Sequence, residues 1–233
     1  MRLFDAHAHL AAAPPGEGLW VVPGVNAERD AAAPRGAGIW RAVGLHPWYL
    51  GDEAQLDTEL TALRERVDDD VIAIGETGLD AMRRAGPRDR QERAFSAQIE
   101  LAMERQLPLI LHVVRRHGVC LEMLKTAGFP VDLGGMVHDF GGPAEVVTEW
   151  VRAGFALSIS PRSVDAAKQE ARRAMVAAIP AEALLVETDD FGAERLGEVV
   201  RWVAQARGAE ESAIASLTGR NARRLFGLPS GVE

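Results

Sequence analysis

The 233-residue chain is 47% hydrophobic and carries a formal net charge of −8. That apolar content is enough to bury one sizeable core, and the acidic balance argues against nucleic-acid binding through bulk charge. The longest apolar stretches run about eight residues, too short to span a bilayer. Cys120 is the single cysteine, so no internal disulfide can form. Together with a first strand that begins at once and leaves no room for a signal peptide, this suits a cytoplasmic protein. One domain over residues 1–233 is the expectation, with no membrane association and no obligate protein partner.

Leu3, Phe4 and Leu10 mark the first apolar run as a buried strand over 2–8 that carries Asp5-Ala6-His7-Ala8-His9. A strand repeats every two residues, so His7 and His9 share a face about 7 Å apart at the backbone. Two imidazoles so placed can hydrogen-bond within a core, or can both give their lone pairs to one metal ion. Residues 11–18 (AAAPPGEG) read as a loop where a first helix would stand. A strand at 19–24 follows, and 26–38 can hold only a stub of a second helix. The next strand, 39–45, ends at His46. A helix over 55–67 shows Leu56, Leu60, Leu63 and Val67 at helical spacing, and the strand at 71–75 ends at Glu76. A helix over 91–106 repeats Phe95, Ile99 and Met103 once per turn. Strand 108–112 ends at His112, and a helix over 117–127 follows. Strand 133–137 ends at His138, with a helix at 143–152. Strand 155–160 precedes a helix at 163–178, and strand 184–187 ends in Glu187-Thr188-Asp189. A helix over 194–207 and a final pair at 210–217 and 219–226 complete the chain.

Eight short apolar strands alternating with helices imply a parallel α/β sheet. Ionisable residues at the ends of strands one, three, four, five, six and eight cannot all meet at the single switch point of a doubly wound sheet. A closed (β/α)8 barrel of TIM type, slightly shortened between strands 1 and 3, brings them to one centre on its C-terminal face.

FDAHAHL (4–10), GLHP (44–47), IGETGLD (74–80), RQERAF…Q (90–98), LPLILH (107–112), VHDFGG (137–142), LLVETD (184–189) and NARRLFGL (221–228) occur in that order. In these the chain resembles the TatD family of metal-dependent hydrolases. Members are barrels with two metal ions, several of which cleave phosphodiester bonds in DNA, often from the 3′ end. The resemblance implies that His7, His9 and Asp189 hold one divalent ion, that His112 and His138 hold the second, and that Glu76 bridges them. Imidazole with carboxylate suits Zn, Mn or Fe better than an all-oxygen cation, while the family's frequent use of Mg leaves the identity open. The implied chemistry is hydrolysis by an activated water, with Asp189 orienting or deprotonating it and Glu76 holding the centre together.

Arg83, Arg84, Arg88 and Arg90 lie in or beside the loop after strand four, Arg115 and Arg116 follow His112, and Arg162 follows strand seven. On the barrel reading these line the active-site face, where guanidinium forks suit phosphate. The substrate contacts expected are His46, Arg83, Arg84, Arg115 and Arg162, and the partner is DNA or another phosphate-containing substrate. An arginine-rich loop can equally be a solvated surface. His117 reads as a surface histidine at a helix start, and Cys120 as a small half-buried residue. Four positions depart from the family pattern: Val114 in place of an arginine, Ala81 in place of an aromatic, HDFGG in place of HCFSG (which introduces Asp139), and Asp190-Phe191 after ETD in place of alanine-proline. These alter the substrate-facing shell and spare every implied metal ligand. They keep two alternatives open, a small-molecule amidohydrolase or lactonase on the same metals, and a catalytically idle metal-binding protein.

Overall fold

Among the described residues, eight parallel strands form in chain order: β1 (Phe4–Ala8), β2 (Glu17–Val22), β3 (Ile39–Val43), β4 (Val71–Asp80), β5 (Leu109–Val114), β6 (Gly135–Val137), β7 (Phe155–Ile159) and β8 (Leu184–Val186). The computed structural model describes residues 3–9, 17–22, 38–82 and 86–229. The sheet closes on itself between its ends. Ala8 and Asp189 form a parallel bridge, Asp189 N–H donates to the His7 carbonyl at 2.9 Å, and His9 N–H donates to the Asp189 carbonyl at 3.3 Å. A buried carboxylate reinforces the closure, since Asp5 accepts from both the backbone N–H and the hydroxyl of Thr188, at 2.9 and 2.5 Å. Burial raises the Asp5 carboxyl to a pKa of about 7, although both Thr188 bonds pull it down.

The alternation of each strand separates two cores. Ala42, Ala73, Ile110, Met136, Ala156 and Leu185 pack with Phe4 and Ala6 inside the barrel. Their neighbours Val43, Ile74, Leu109, Leu111, Val137, Leu157, Leu184 and Val186 pack outward. The outward core meets helices α1 (Glu53–Arg66), α2 (Arg88–Arg105), α3 (His117–Thr126), α4 (Val147–Arg152), α5 (Pro161–Val164), α6 (Gln169–Ala178) and α7 (Leu196–Arg207). α1 opens on a capping box in which Asp52 and Gln55 each accept from the other's backbone N–H at 2.9 Å, and it buries Leu56 and Leu63. A last helix, α8 (Glu211–Leu225), places Ala222 and the following Phe226 against the interior cluster.

Two strands slip register next to the site. Asp5 pairs with Gly18 but Ala8 pairs with Trp20, and Ile74 pairs with Leu109 but Thr77 pairs with Leu111. Each slip inserts one extra residue into β1 or β4, which reverses the face that later side chains occupy. Phe4 and Ala6 therefore point into the barrel, and so do His7 and His9. Ala73 points in, and so does Glu76.

Several boundaries differ from the sequence expectation. β4 continues through GETGLD to Asp80, so Glu76 lies inside a strand, and His112 likewise lies within β5. The helix expected over 163–178 is two. Ser160 caps α5 by accepting from Arg162 N–H at 3.1 Å, Pro161 opens it, and Gln169 Nε2 ends it by donating to the carbonyls of Ser163, Val164 and Ala166. The expected pair at 210–217 and 219–226 is the single helix α8, because burial of Ile214, Ala215, Thr218 and Ala222 outweighs the roughly 1 kcal/mol cost of Gly219 in a helix. Cys120 is fully buried rather than half-buried, and burial pushes its thiol up to about 12. Most of the shortened region between strands 1 and 3 (10–16 and 23–37) lies outside the described residues.

Asn221 Nδ2 ties α8 to the barrel, donating to the carbonyls of Ala181 at 2.7 Å and Leu184 at 2.9 Å. Asn221→Ala leaves the buried Leu184 carbonyl short of a donor and is expected to lower unfolding stability by about 1–3 kcal/mol in urea denaturation.

Candidate metal centre

The C-terminal ends of β1, β3, β4, β5, β6 and β8 deliver His7, His9, His46, Glu76, His112, His138 and Asp189 to one place. Two buried glutamines of α2 fix the strand ends on either side. Gln98 accepts from Leu45 N–H at 2.8 Å and donates to the Leu45 carbonyl at 3.2 Å, while Gln91 accepts from Asp80 N–H at 2.8 Å. Gly78 lets β4 and β5 approach closely: its φ is +129°, and a Cβ there would stand 2.3 Å from the His112 carbonyl oxygen.

Glu76 is the hub. Its Oε2 lies 3.4 Å from His7 Nε2 and 3.2 Å from His9 Nε2, and those two nitrogens are 3.0 Å apart. Its Oε1 lies 3.0 Å from His112 Nδ1, 2.6 Å from His138 Nε2 and 3.1 Å from His46 Nε2, with His112 and His138 themselves 3.0 Å apart. Asp189 Oδ1 stands 3.8 and 3.6 Å from the His7 and His9 nitrogens. Each facing pair of imidazole nitrogens can share at most one proton, yet each pair also faces the same carboxylate oxygen in a buried site. A divalent cation answers all three donors at once, so the donor set fits a metal on either side of Glu76.

The charges are mutually dependent. Burial alone would raise Glu76, but His138, His46 and His112 hold its carboxyl well below the usual range. Burial works against protonation of His138 too, and is overcome by Glu76 and Glu187, which leave it well above an ordinary histidine. Asp189 is held low in the same way, chiefly by His138 and His7 against its own burial.

The family described as TatD related DNase matches residues 23–227. The chain belongs to the TatD family. A relative named 3′-5′ ssDNA/RNA exonuclease TatD, from Erwinia billingiae, is 34% identical over 203 residues, covering 80% of this chain and 77% of the relative. The uncharacterized metal-dependent hydrolase YabD of Bacillus subtilis is 34% identical over 199 residues, covering 79% and 76%. Among solved structures, YJJV, a TatD homologue from Escherichia coli K12, superposes with a TM-score of 0.84 at 27% identity over 98% of this chain and 99% of that one. A phosphotriesterase homology protein from Escherichia coli, at a TM-score of 0.72 and 13% identity over 97% and 98%, shows the shared barrel fold.

Two of the substrate contacts expected from the sequence, His46 and Arg162, have protein partners in the structure. His46 is buried and turned inward. Its Nδ1 accepts from Trp48 N–H at 3.0 Å, which leaves Nε2 to donate to Glu76. Arg162 lies across two carboxylates, with Nε 2.7 Å from Asp139 Oδ2 and Nη2 3.1 Å from Asp189 Oδ2. Arg88 and Arg116 both reach Glu92 Oε1 at 2.7 Å, and Arg90 donates to the Gly51 carbonyl at 2.7 Å. Arg115 is exposed just past β5, and Arg83 and Arg84 lie outside the described residues. His117 opens α3 as expected and is half-buried rather than fully on the surface. Its Nδ1 accepts from Trp150 Nε1 at 3.1 Å, its ring packs on Phe140, and burial lowers its pKa.

Sequence reasoning missed two carboxylates. Asp80 Oδ2 accepts from His112 Nε2 at 2.8 Å and from Trp48 Nε1 at 2.6 Å, which turns His112 Nδ1 toward Glu76. Glu187 Oε1 accepts from Asp139 N–H at 2.6 Å and stands 3.5 Å from His138 Nδ1. Both were findable from strand period, since 76 and 80, and 187 and 189, share a face. A carboxylate behind a histidine donor fixes its tautomer and is worth roughly 10- to 100-fold in metal affinity. Asp80→Ala is expected to weaken Mn2+ binding by about that factor in titration calorimetry with the far-UV circular dichroism unchanged.

Proposed function

We propose that the chain is a metal-dependent phosphodiesterase of the cytoplasm, acting on single-stranded DNA, with two divalent ions at Glu76. His7, His9 and Asp189 would hold one, His112 and His138 the other, and Glu76 would contribute to both. The observation that carries this reading is the division of Glu76, with Oε2 against the β1 histidines and Oε1 against His112 and His138. Such ions, when bound, would lower the pKa of a bound water and draw charge from the phosphoryl oxygens.

The chain's own groups do the rest. Asp189 presents Oδ1 to the His7 and His9 side while Arg162 occupies its Oδ2. It is therefore oriented to take the proton of an attacking water. Asp80 and Glu187 brace His112 and His138 from behind, so the donors are set before substrate arrives. The nucleic-acid substrate is that of the TatD exonucleases to which the chain is about one-third identical.

A second reading, hydrolysis of a small ester or amide, is favoured by the pairing of Arg88 and Arg116 with Glu92 and of Arg162 with Asp139, which draws cations away from a polyanion. One assay separates them: release of label from a 3′-labelled single-stranded oligonucleotide in Mn2+ or Mg2+. The nuclease reading predicts cleavage by the wild type, abolition in Glu76→Ala, and a fall of about 10²- to 10⁴-fold in Asp189→Asn. A folded, metal-loaded wild type that leaves the oligonucleotide intact would overturn it in favour of small neutral substrates.

A further inference from the structure

Beyond the donors themselves, a strap of polar side chains crosses the ends of β6, β7 and β8. Asp139 follows β6 in a left-handed conformation, φ +42°, which aspartate tolerates better than most residues. All its polar groups near the site are committed: N–H to Glu187 Oε1 at 2.6 Å, Oδ1 to the Ser160 hydroxyl, and Oδ2 to Arg162 Nε at 2.7 Å. Ser160, at the end of β7, also accepts from Arg162 N–H at 3.1 Å, so one hydroxyl orients both partners. The Arg162 guanidinium then reaches Asp189 Oδ2 at 3.1 Å and lies 5.5 Å from the centre of the Phe191 ring. Asp189 itself is held at φ +52°.

We infer that Arg162 is a positioning residue for Asp189, with Asp139 as its anchor, and not a clamp for the substrate phosphate. A carboxylate on a free side chain can rotate and exchange its oxygens. Holding Oδ2 on a guanidinium leaves Oδ1 as the oxygen that faces His7 and His9. Two carboxylates share the one positive charge, so little of its field is left for a polyanion. Aspartate at 139, where the family pattern has a cysteine, supplies the second of those carboxylates. The role of Asp189 as base and metal donor is that of the proposed function, and the inference rests on it.

The test compares Arg162→Ala, Asp139→Asn, the double variant and Arg162→Lys by oligonucleotide cleavage in Mn2+ and, separately, by Mn2+ titration calorimetry. Positioning through Asp189 predicts a kcat reduced by about 10- to 100-fold in Arg162→Ala with KM within a few fold, and Mn2+ affinity reduced in the same range. Asp139→Asn moves both readouts the same way, and the double variant is no worse than Arg162→Ala alone, because the two act as one unit. Arg162→Lys recovers only part of the loss, since an ammonium lacks the planar fork that spans two carboxylates. A raised KM with unchanged kcat would make Arg162 a substrate contact and overturn the inference, as would additive losses in the double variant. If the wild type cleaves no oligonucleotide, the nuclease reading fails by itself. The strap is then judged on Mn2+ affinity, where no change in either single variant would sink it.

Discussion

A carboxylate at 1% exposure in the middle of a barrel demands compensation, and around Glu76 that demand organises the whole C-terminal face. Five imidazole nitrogens, from His7, His9, His46, His112 and His138, stand between 2.6 and 3.4 Å from its two oxygens. Each histidine is in turn placed by the strand it lies on or follows and, for His112 and His46, by a partner on its far nitrogen. For His112 and His46 these are Asp80 and the Trp48 N–H, while on the far side of His138 the Glu187 carboxylate stands 3.5 Å from Nδ1. The arrangement is dense enough that removing one member leaves another buried and unsatisfied.

That density depends on two backbone irregularities. In regular strands, His7 would lie on the face opposite Phe4 and Ala6, and Glu76 on the face opposite Ala73. The extra residue in β1 and in β4 turns both sets inward, so an apolar layer fills the lower barrel and a polar one fills its mouth. The same segment of β1 closes the barrel through Asp5 and Thr188. Closure of the fold and placement of the first two histidines are thus one structural event, and a variant that loosens β1 against β8 acts on stability and site together.

The sequence carried much of this because the barrel rule is local. A buried strand ending in an ionisable side chain places that side chain at the mouth, and His7, His9, Glu76, His112, His138 and Asp189 were legible for that reason. What was hidden depends on contacts between distant segments. The direction of His46 is set by a turn closing on Trp48 N–H, and the pairing of Arg88 and Arg116 follows from Glu92 projecting from α2. The engagement of Arg162 depends on Asp139, which reaches it from the end of a different strand. The register slips also escape a one-strand reading, since they exist only relative to the neighbouring strand. Asp80 and Glu187 share a strand face with Glu76 and Asp189, but a strand that ends at Gly75 does not carry Asp80 to the mouth.

The division of Glu76 between two donor sets is the central claim, and metal stoichiometry tests it most directly. Wild type and Glu76→Gln, loaded with Mn2+ and freed of excess, are to be compared by inductively coupled plasma mass spectrometry with folding checked by circular dichroism. A centre joined by Glu76 predicts about two ions per wild-type chain, as in two-metal hydrolytic sites, and a clear loss in the variant. A wild type holding one ion or none, or a variant that retains the full complement, would contradict it.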